Sequence, residues 1–183
     1  MTEALLFLRQ LIADPKQISA IAPSSRFLAR AMTETLHPKS GRVVEFGPGT
    51  GRLTEAILSR GVAPQDLTLF EMNPTFAAHL EQRFKGVNIH VTAAQNAPNL
   101  VARGANTVIS GLPLLSMPQH IREMIIKAAF DILSPEGVFV QFTYGSSCPI
   151  SPEQIKSLGL RVEIGPKVLL NLPPARVYRF YKK

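Results

Sequence analysis

The stretch Val43-Val44-Glu45-Phe46-Gly47-Pro48-Gly49-Thr50-Gly51 constrains the fold more than any other, because it reads as a buried strand that breaks into a glycine-rich turn. Val43, Val44 and Phe46 bring the β-branched and aromatic character of a strand. The glycines at 47, 49 and 51 permit a backbone that turns tightly and lies close to a ligand, and Pro48 stiffens it. From Arg52 onward Leu53, Ala56 and Ile57 fall at helical spacing, so the first N–H groups of that helix face whatever the loop holds.

Alternation of strand and helix continues along the chain. Leu67–Phe70 reads as a second strand ending on Glu71, and Pro74 opens a helix with Phe76, Leu80 and Phe84 as its apolar stripe. Gly86 closes that helix, and residues 87–91 form a short third strand. After a weakly patterned segment to Gly104, Thr107-Val108-Ile109 is the next buried strand, ending in Ser110-Gly111-Leu112-Pro113. The clearest helix spans 118–133, with Ile121, Met124, Ile125, Ala128 and Ile132 on one face. Val138–Phe142 is a strand leading to Thr143-Tyr144-Gly145; a helix from Pro152 and strands over 160–164 and 176–181 complete the chain. This pattern predicts one three-layer α/β domain with a mainly parallel sheet, residues 41–183 forming a Rossmann-like core.

The first 40 residues read as a helical extension. Leu5, Leu8, Leu11 and Ile12 make an amphipathic helix over 4–13, which either docks on its own domain or lies in a membrane surface. Ser24 is placed to cap a second helix from Ser25 to about Leu36, and a segment just before the first strand is well situated to act as a lid.

Composition narrows the classes. With 183 residues and 45% hydrophobic content, the chain can bury a substantial core without disulfides. Cys148 is the single cysteine, which argues for passive packing, and His37, His79, His90 and His120 lack ligand spacing, so no metal site is expected. The opening residues lack a basic leader, and no segment approaches the ~20 apolar residues of a spanning helix. A soluble or peripheral cytoplasmic protein is the expectation.

Charge is uneven. Residues 1–42 hold six Lys/Arg against three Asp/Glu, residues 43–155 seven against nine, and residues 156–183 seven against one. Basic ends of this kind suit solubility, phospholipid headgroups or nucleic acid.

In a parallel sheet, ligands bind beyond the carboxyl ends of the strands, near the point where strand order reverses. Glu45 to Gly51, Glu71, Ala94-Gln95 and Ser110-Gly111 all lie at such ends. Glu71, 20 residues after Gly51, is placed to accept hydrogen bonds from ribose hydroxyls, which suits an adenosine-containing cofactor. Arg52 stands where a dinucleotide fingerprint requires its last glycine, and no Gly-Lys-Ser/Thr follows to make a phosphate-binding Walker loop.

At Glu45–Gly51 the chain resembles the class I S-adenosylmethionine-dependent methyltransferases. Four further stretches, Ile21–Arg26, Val108–Leu114, Gln141–Gly145 and Asn171–Ala175, make it similar to bacterial phospholipid N-methyltransferases over nearly its whole length. The resemblance implies a seven-stranded class I methyltransferase fold. It also implies that Gly47, Gly49 and Gly51 admit S-adenosylmethionine, that Glu71, with Met72 beside it, holds the ribose, and that Glu45 helps fix the amino-acid part. Gln95 stands near the place of an adenine-binding Asp in many relatives, and Ser110 completes the implied cofactor set at the fourth strand end.

The implied acceptor is the amine of phosphatidylethanolamine and its mono- and dimethylated products, towards phosphatidylcholine, at the inner face of the cell membrane. The amine must be neutral to attack. Tyr144 is the candidate catalytic residue, orienting the amine or stabilising the developing ammonium through its ring. His120 is a possible proton acceptor, and Arg26, Arg30, Arg176 and Arg179 are candidate partners for the headgroup phosphate. Two other readings stay open: an RNA adenine methyltransferase and a non-catalytic cofactor-binding protein. Against the first, Ser110-Gly111-Leu112-Pro113-Leu114 lacks the amide and the aromatic that commonly hold a planar base in that group.

Overall fold

A computed structural model describes residues 25–144 and 147–183. The expected helix over 4–13, the cap at Ser24 and Gly145 lie outside the described residues.

Seven strands form one sheet: β1 (Val43–Phe46), β2 (Leu67–Phe70), β3 (Asn88–His90), β4 (Ala105–Ser110), β5 (Leu133–Tyr144), β6 (Leu160–Val168) and β7 (Ala175–Lys182). Their spatial order is β3-β2-β1-β4-β5-β7-β6. The pairs from β3 through β5 are parallel, and β7 runs antiparallel between β5 and β6. From β1 the chain winds outward through β2 and β3, then returns to place β4 on the other side. The order therefore reverses between β1 and β4, and the crevice at a reversal opens at the strands' carboxyl ends.

Among the described residues five helices cover the faces: α1 (Arg26–Met32), α2 (Arg52–Ser59), α3 (Pro74–Arg83), α4 (Gln119–Ile132) and α5 (Pro152–Ser157). On one face Val43, Leu69, Ile109 and Val140 pack with Leu28 and Met32 of α1, Leu53 and Ile57 of α2, and Leu80 of α3. On the other, Val44, Phe46, Val108 and Phe139 pack with Ile125, Ile126 and Ala129 of α4. Layers on both sides explain why β1 is buried at every position, as central parallel strands require.

Several elements differ from the sequence reading in extent. Ser25 itself caps α1, its hydroxyl accepting from the Leu28 N–H at 3.2 Å. The helix ends at Met32, where Thr33 caps it, its N–H and its hydroxyl both donating to the Ala29 carbonyl, at 3.1 and 2.9 Å. In α4 the buried face is rotated from the expected one. Ile126, Ala129 and Phe130 are buried with Ile125, Ala128 and Ile132, while Met124 is 50% exposed. β5 starts earlier than its apolar run, taking in Pro135-Glu136-Gly137 through a register shift opposite Ala105–Thr107. The patternless segment after β3 contains a short 3-10 turn, Ala94–Asn99.

Candidate active site

The ladder continues one hydrogen bond past the carboxyl end of three strands. The Gly47 N–H donates to the Phe70 carbonyl at 3.0 Å, the Glu71 N–H to that of His90 at 3.1 Å, and the Gly111 N–H to that of Phe46 at 2.8 Å. The loops after β1, β2 and β4 are thereby held against one another.

The three glycines of the first loop have different physical reasons. All have positive φ, +70° at Gly47, +55° at Gly49 and +83° at Gly51. A Cβ on Gly47 would stand 2.4 Å from Leu112 Cδ2, and one on Gly51 would stand 2.5 Å from the Phe84 ring. Those two are glycine so that loop and helix can pack. A Cβ on Gly49 would meet nothing within 4 Å. It would project into open space at the crest of the turn, where a ligand can approach the backbone closely.

Glu71 reaches this crest. Its Oε2 accepts from the Gly49 N–H at 2.9 Å and its Oε1 from the Asn73 N–H at 2.8 Å. Each oxygen keeps a lone pair for a further donor. Burial raises the Glu71 pKa, opposed by these backbone bonds.

Glu45 is fully buried in the middle of β1. The Thr54 hydroxyl of α2 donates to its Oε2 at 2.7 Å, while Oε1 has no partner. Burial lifts its pKa to about 8, with the Thr54 bond opposing and nearby Glu71 adding to the rise. A buried carboxyl oxygen without a partner is costly unless a ligand donor completes it. Orphaned Glu45, the open crest at Gly49 and the spare acceptors on Glu71 fit a cofactor that carries a cationic amino group and ribose hydroxyls. Met72 and the Gln95 side chain stand half-buried after the next strand ends.

Ser110 behaves differently from expectation. It pairs in register with Phe46, whose ring belongs to the α4-side core, so its side chain turns to that face, away from Glu45. It is fully buried, and its hydroxyl accepts from the Leu112 N–H at 3.3 Å. It shapes the loop after β4.

Tyr144 closes β5 on the same face as α1, with its ring set edge-on to Phe142 at 5.1 Å. Burial raises its pKa and contact with the Asn171 side chain opposes the rise, so the phenol is neutral at physiological pH. Asn171 is a junction the sequence reading did not isolate. Its Oδ1 accepts from the Ser25 N–H at 2.9 Å, 146 positions away, and its Nδ2 donates to the Pro173 carbonyl at 2.7 Å. The start of α1, the end of β5 and the β6–β7 loop thus meet at one buried amide. Gln141 plays a similar part for the β4 loop, its Nε2 donating to the Leu112 carbonyl at 2.9 Å.

The other candidates stand apart. His120 is exposed on the first turn of α4. Arg179 is buried and forms ion pairs with Glu34 and Glu163 at 3.4 and 3.3 Å, so it is already neutralised. Cys148 packs half-buried against the core. No group of three or more metal-ligating side chains occurs among the described residues.

No protein-family model matches the chain. Among solved structures it is similar to the 1,6-didemethyltoxoflavin-N1-methyltransferase of Burkholderia thailandensis with bound S-adenosylhomocysteine. The TM-score is 0.66 at 16% identity, covering 98% of this chain and 88% of that one. TrmN from Thermus thermophilus superposes with a TM-score of 0.65 at 14% identity over 85% of this chain, which spans 48% of that longer protein. In sequence the chain is 32% identical over 151 residues to the ornithine lipid N-methyltransferase of Singulisphaera acidiphila, covering 78% of this chain and 79% of that enzyme. With this sheet order and this glycine loop, the chain belongs to the class I S-adenosylmethionine-dependent methyltransferases, in one family with that lipid N-methyltransferase.

Proposed function

We propose that the protein transfers methyl groups from S-adenosylmethionine to the amine of phosphatidylethanolamine, and then to its mono- and dimethylated products, at the membrane surface. When bound, the cofactor supplies an electrophilic methyl group on a sulfonium. Glu45 and Glu71 would hold its amino and ribose groups, with Met72 beside the ribose, the backbone at Gly47–Gly51 would lie against it, and Gln95 would stand near the adenine. The chain itself contributes position and exclusion of water. Tyr144 lies beside Asn171, and its ring face meets the acceptor nitrogen as positive charge develops there.

One observation carries the lipid reading. On either side of buried Asn171, Leu169, Leu170 and Leu172 are 68%, 67% and 83% exposed. Three bare leucines on the loop that anchors both α1 and Tyr144 suit an apolar medium at the mouth of the cleft. The lipid N-methyltransferase relative supports the same acceptor class, an amine on a membrane lipid. Among the described residues no helix is long and apolar enough to cross a membrane, so this loop and the N-terminal extension are the contacts we assign to the surface.

The test is incubation with methyl-labelled S-adenosylmethionine and either vesicles containing phosphatidylethanolamine or structured RNA. Label in the lipid extract supports the reading, and label in RNA alone overturns it.

A further inference from the structure

A groove of about 410 Å³ runs between α1 and α2, and Arg26, Arg30, Arg52 and Arg60 all line it. Small residues, Ala29 and Ala56, form part of its walls and leave it open. Its lone acidic lining residue, Glu55, is committed elsewhere, its Oε2 paired with Arg83 Nη2 at 2.7 Å. None of the four arginines has an acidic partner among the described residues. Arg60 is fixed by donating from Nη2 to the Arg30 carbonyl at 3.2 Å, and Arg26 lies 5.0 Å from the centre of the exposed Phe27 ring.

Three arginines elsewhere in the fold are already committed. Arg42 is spent on the carbonyls of Ala102 and Arg103, Arg83 on Glu55 and Arg179 on Glu34 and Glu163. Like charges collected around one concavity repel, and an anion there relieves the repulsion while accepting forked guanidinium bonds. Phosphate geometry matches that fork.

Two of the groove's arginines adjoin, along the chain, residues that build the cleft. Arg52 directly follows Gly51 of the glycine loop, and Arg26 directly follows Ser25, whose N–H is bound by Asn171 beside Tyr144. We infer that this groove seats the phosphodiester of the acceptor phospholipid, making Arg26 and Arg30, with Arg52 and Arg60 beside them, the residues that select a phosphate-bearing amine lipid. The inference rests on the acceptor reading above and adds the substrate feature recognised.

The test uses the full chain and an Arg26→Gln/Arg30→Gln variant, with Lys85→Gln/Arg103→Gln as a variant of equal charge loss outside the groove. Two readouts are compared. In the first, inorganic phosphate is titrated in a thermal melt; it should raise the Tm of the parent and of the outside variant but not of the groove variant. In the second, methyl transfer to soluble dihexanoyl phosphatidylethanolamine is followed. The groove variant should show a KM raised about tenfold, consistent with loss of charge-assisted phosphate bonds, with kcat and cofactor affinity retained. Equal phosphate response in all three proteins, or no response in the parent, overturns the anion site whether or not the lipid is methylated. A phosphate-dependent Tm with unchanged KM overturns the lipid phosphodiester in favour of free phosphate. Absence of methyl transfer in the parent overturns the acceptor reading, leaving the melt to decide on the groove.

Discussion

The Gly49 N–H and the Glu71 carboxylate are joined by a 2.9 Å hydrogen bond, so the acidic end of β2 holds the crest of the glycine turn that follows β1. One side chain thus both shapes the loop and offers acceptors to a ligand lying on it. Glu71→Ala should weaken S-adenosylmethionine binding by at least about tenfold, since it removes a charged acceptor and frees the loop. Glu71→Gln should weaken it too, because an amide cannot accept from both the Gly49 and Asn73 N–H groups with both of its ends. Titration calorimetry checks this, and unchanged affinity in Glu71→Ala would remove the residue from the site.

The glycine turn separates binding from folding. Gly49→Ala points its methyl into open space and bears only the left-handed backbone cost, about 1–2 kcal/mol. It should fold and bind cofactor poorly. Gly51→Ala drives a methyl to within 2.5 Å of the Phe84 ring at a positive φ. It should lower the melting temperature further than Gly49→Ala does. Melts paired with calorimetry distinguish the two.

Glu45 gives the cofactor-free protein a pH dependence of defined sign. Its folded pKa of about 8 lies above the ordinary 4.5, so between those values the native state holds a proton that the unfolded chain has released. Its contribution is therefore most favourable below about pH 4.5 and is lost as pH rises towards 8, by a few kcal/mol in all. Glu45→Gln, which keeps an acceptor for Thr54, should flatten this part of the stability profile in urea titrations across pH 5 to 8. A profile of unchanged slope would show that Glu45 is ionised in the folded protein.

The Asn171 junction ties the acceptor side together. Tyr144→Phe retains the ring and should keep methyl-transfer rates within about threefold. Tyr144→Ala should lower kcat about tenfold, the scale of a ring–cation contact. Asn171→Ala loses the bond to Ser25 at 2.9 Å and should expose the start of α1 to faster amide hydrogen exchange. Equal rates in Tyr144→Phe and Tyr144→Ala would remove the ring from the mechanism.

What the sequence made legible follows from local physics. β1 is buried throughout and β2 at all but half-buried Thr68, so Val43–Phe46 and Leu67–Phe70 appear as short, mostly apolar runs with the right ends. Asn73 and Pro74 start α3 by capping and fixed φ, both local effects. The acidic residues at 45 and 71 were recognisable because they interrupt or end such runs. What depends on distant pairing was not legible. Nothing near Asn171 in sequence signals Ser25, nothing near Ser110 tells which sheet face it takes, and Arg179 looks like a surface cation until Glu34 and Glu163 are brought to it. The arginine groove is of the same kind, since Arg26 and Arg60 meet only through the packing of α1 on α2.

In the proposed function one cleft binds S-adenosylmethionine at Glu45, Gly49 and Glu71 and delivers its methyl to the amine of phosphatidylethanolamine beside Tyr144. Mass spectrometry of lipids recovered from mixed vesicles of phosphatidylethanolamine and ornithine lipid, after incubation with S-adenosylmethionine, tests it most directly. Methylated phosphatidylethanolamine is the expected product, lost in Glu71→Ala. Unmodified phosphatidylethanolamine alongside methylated ornithine lipid would contradict it.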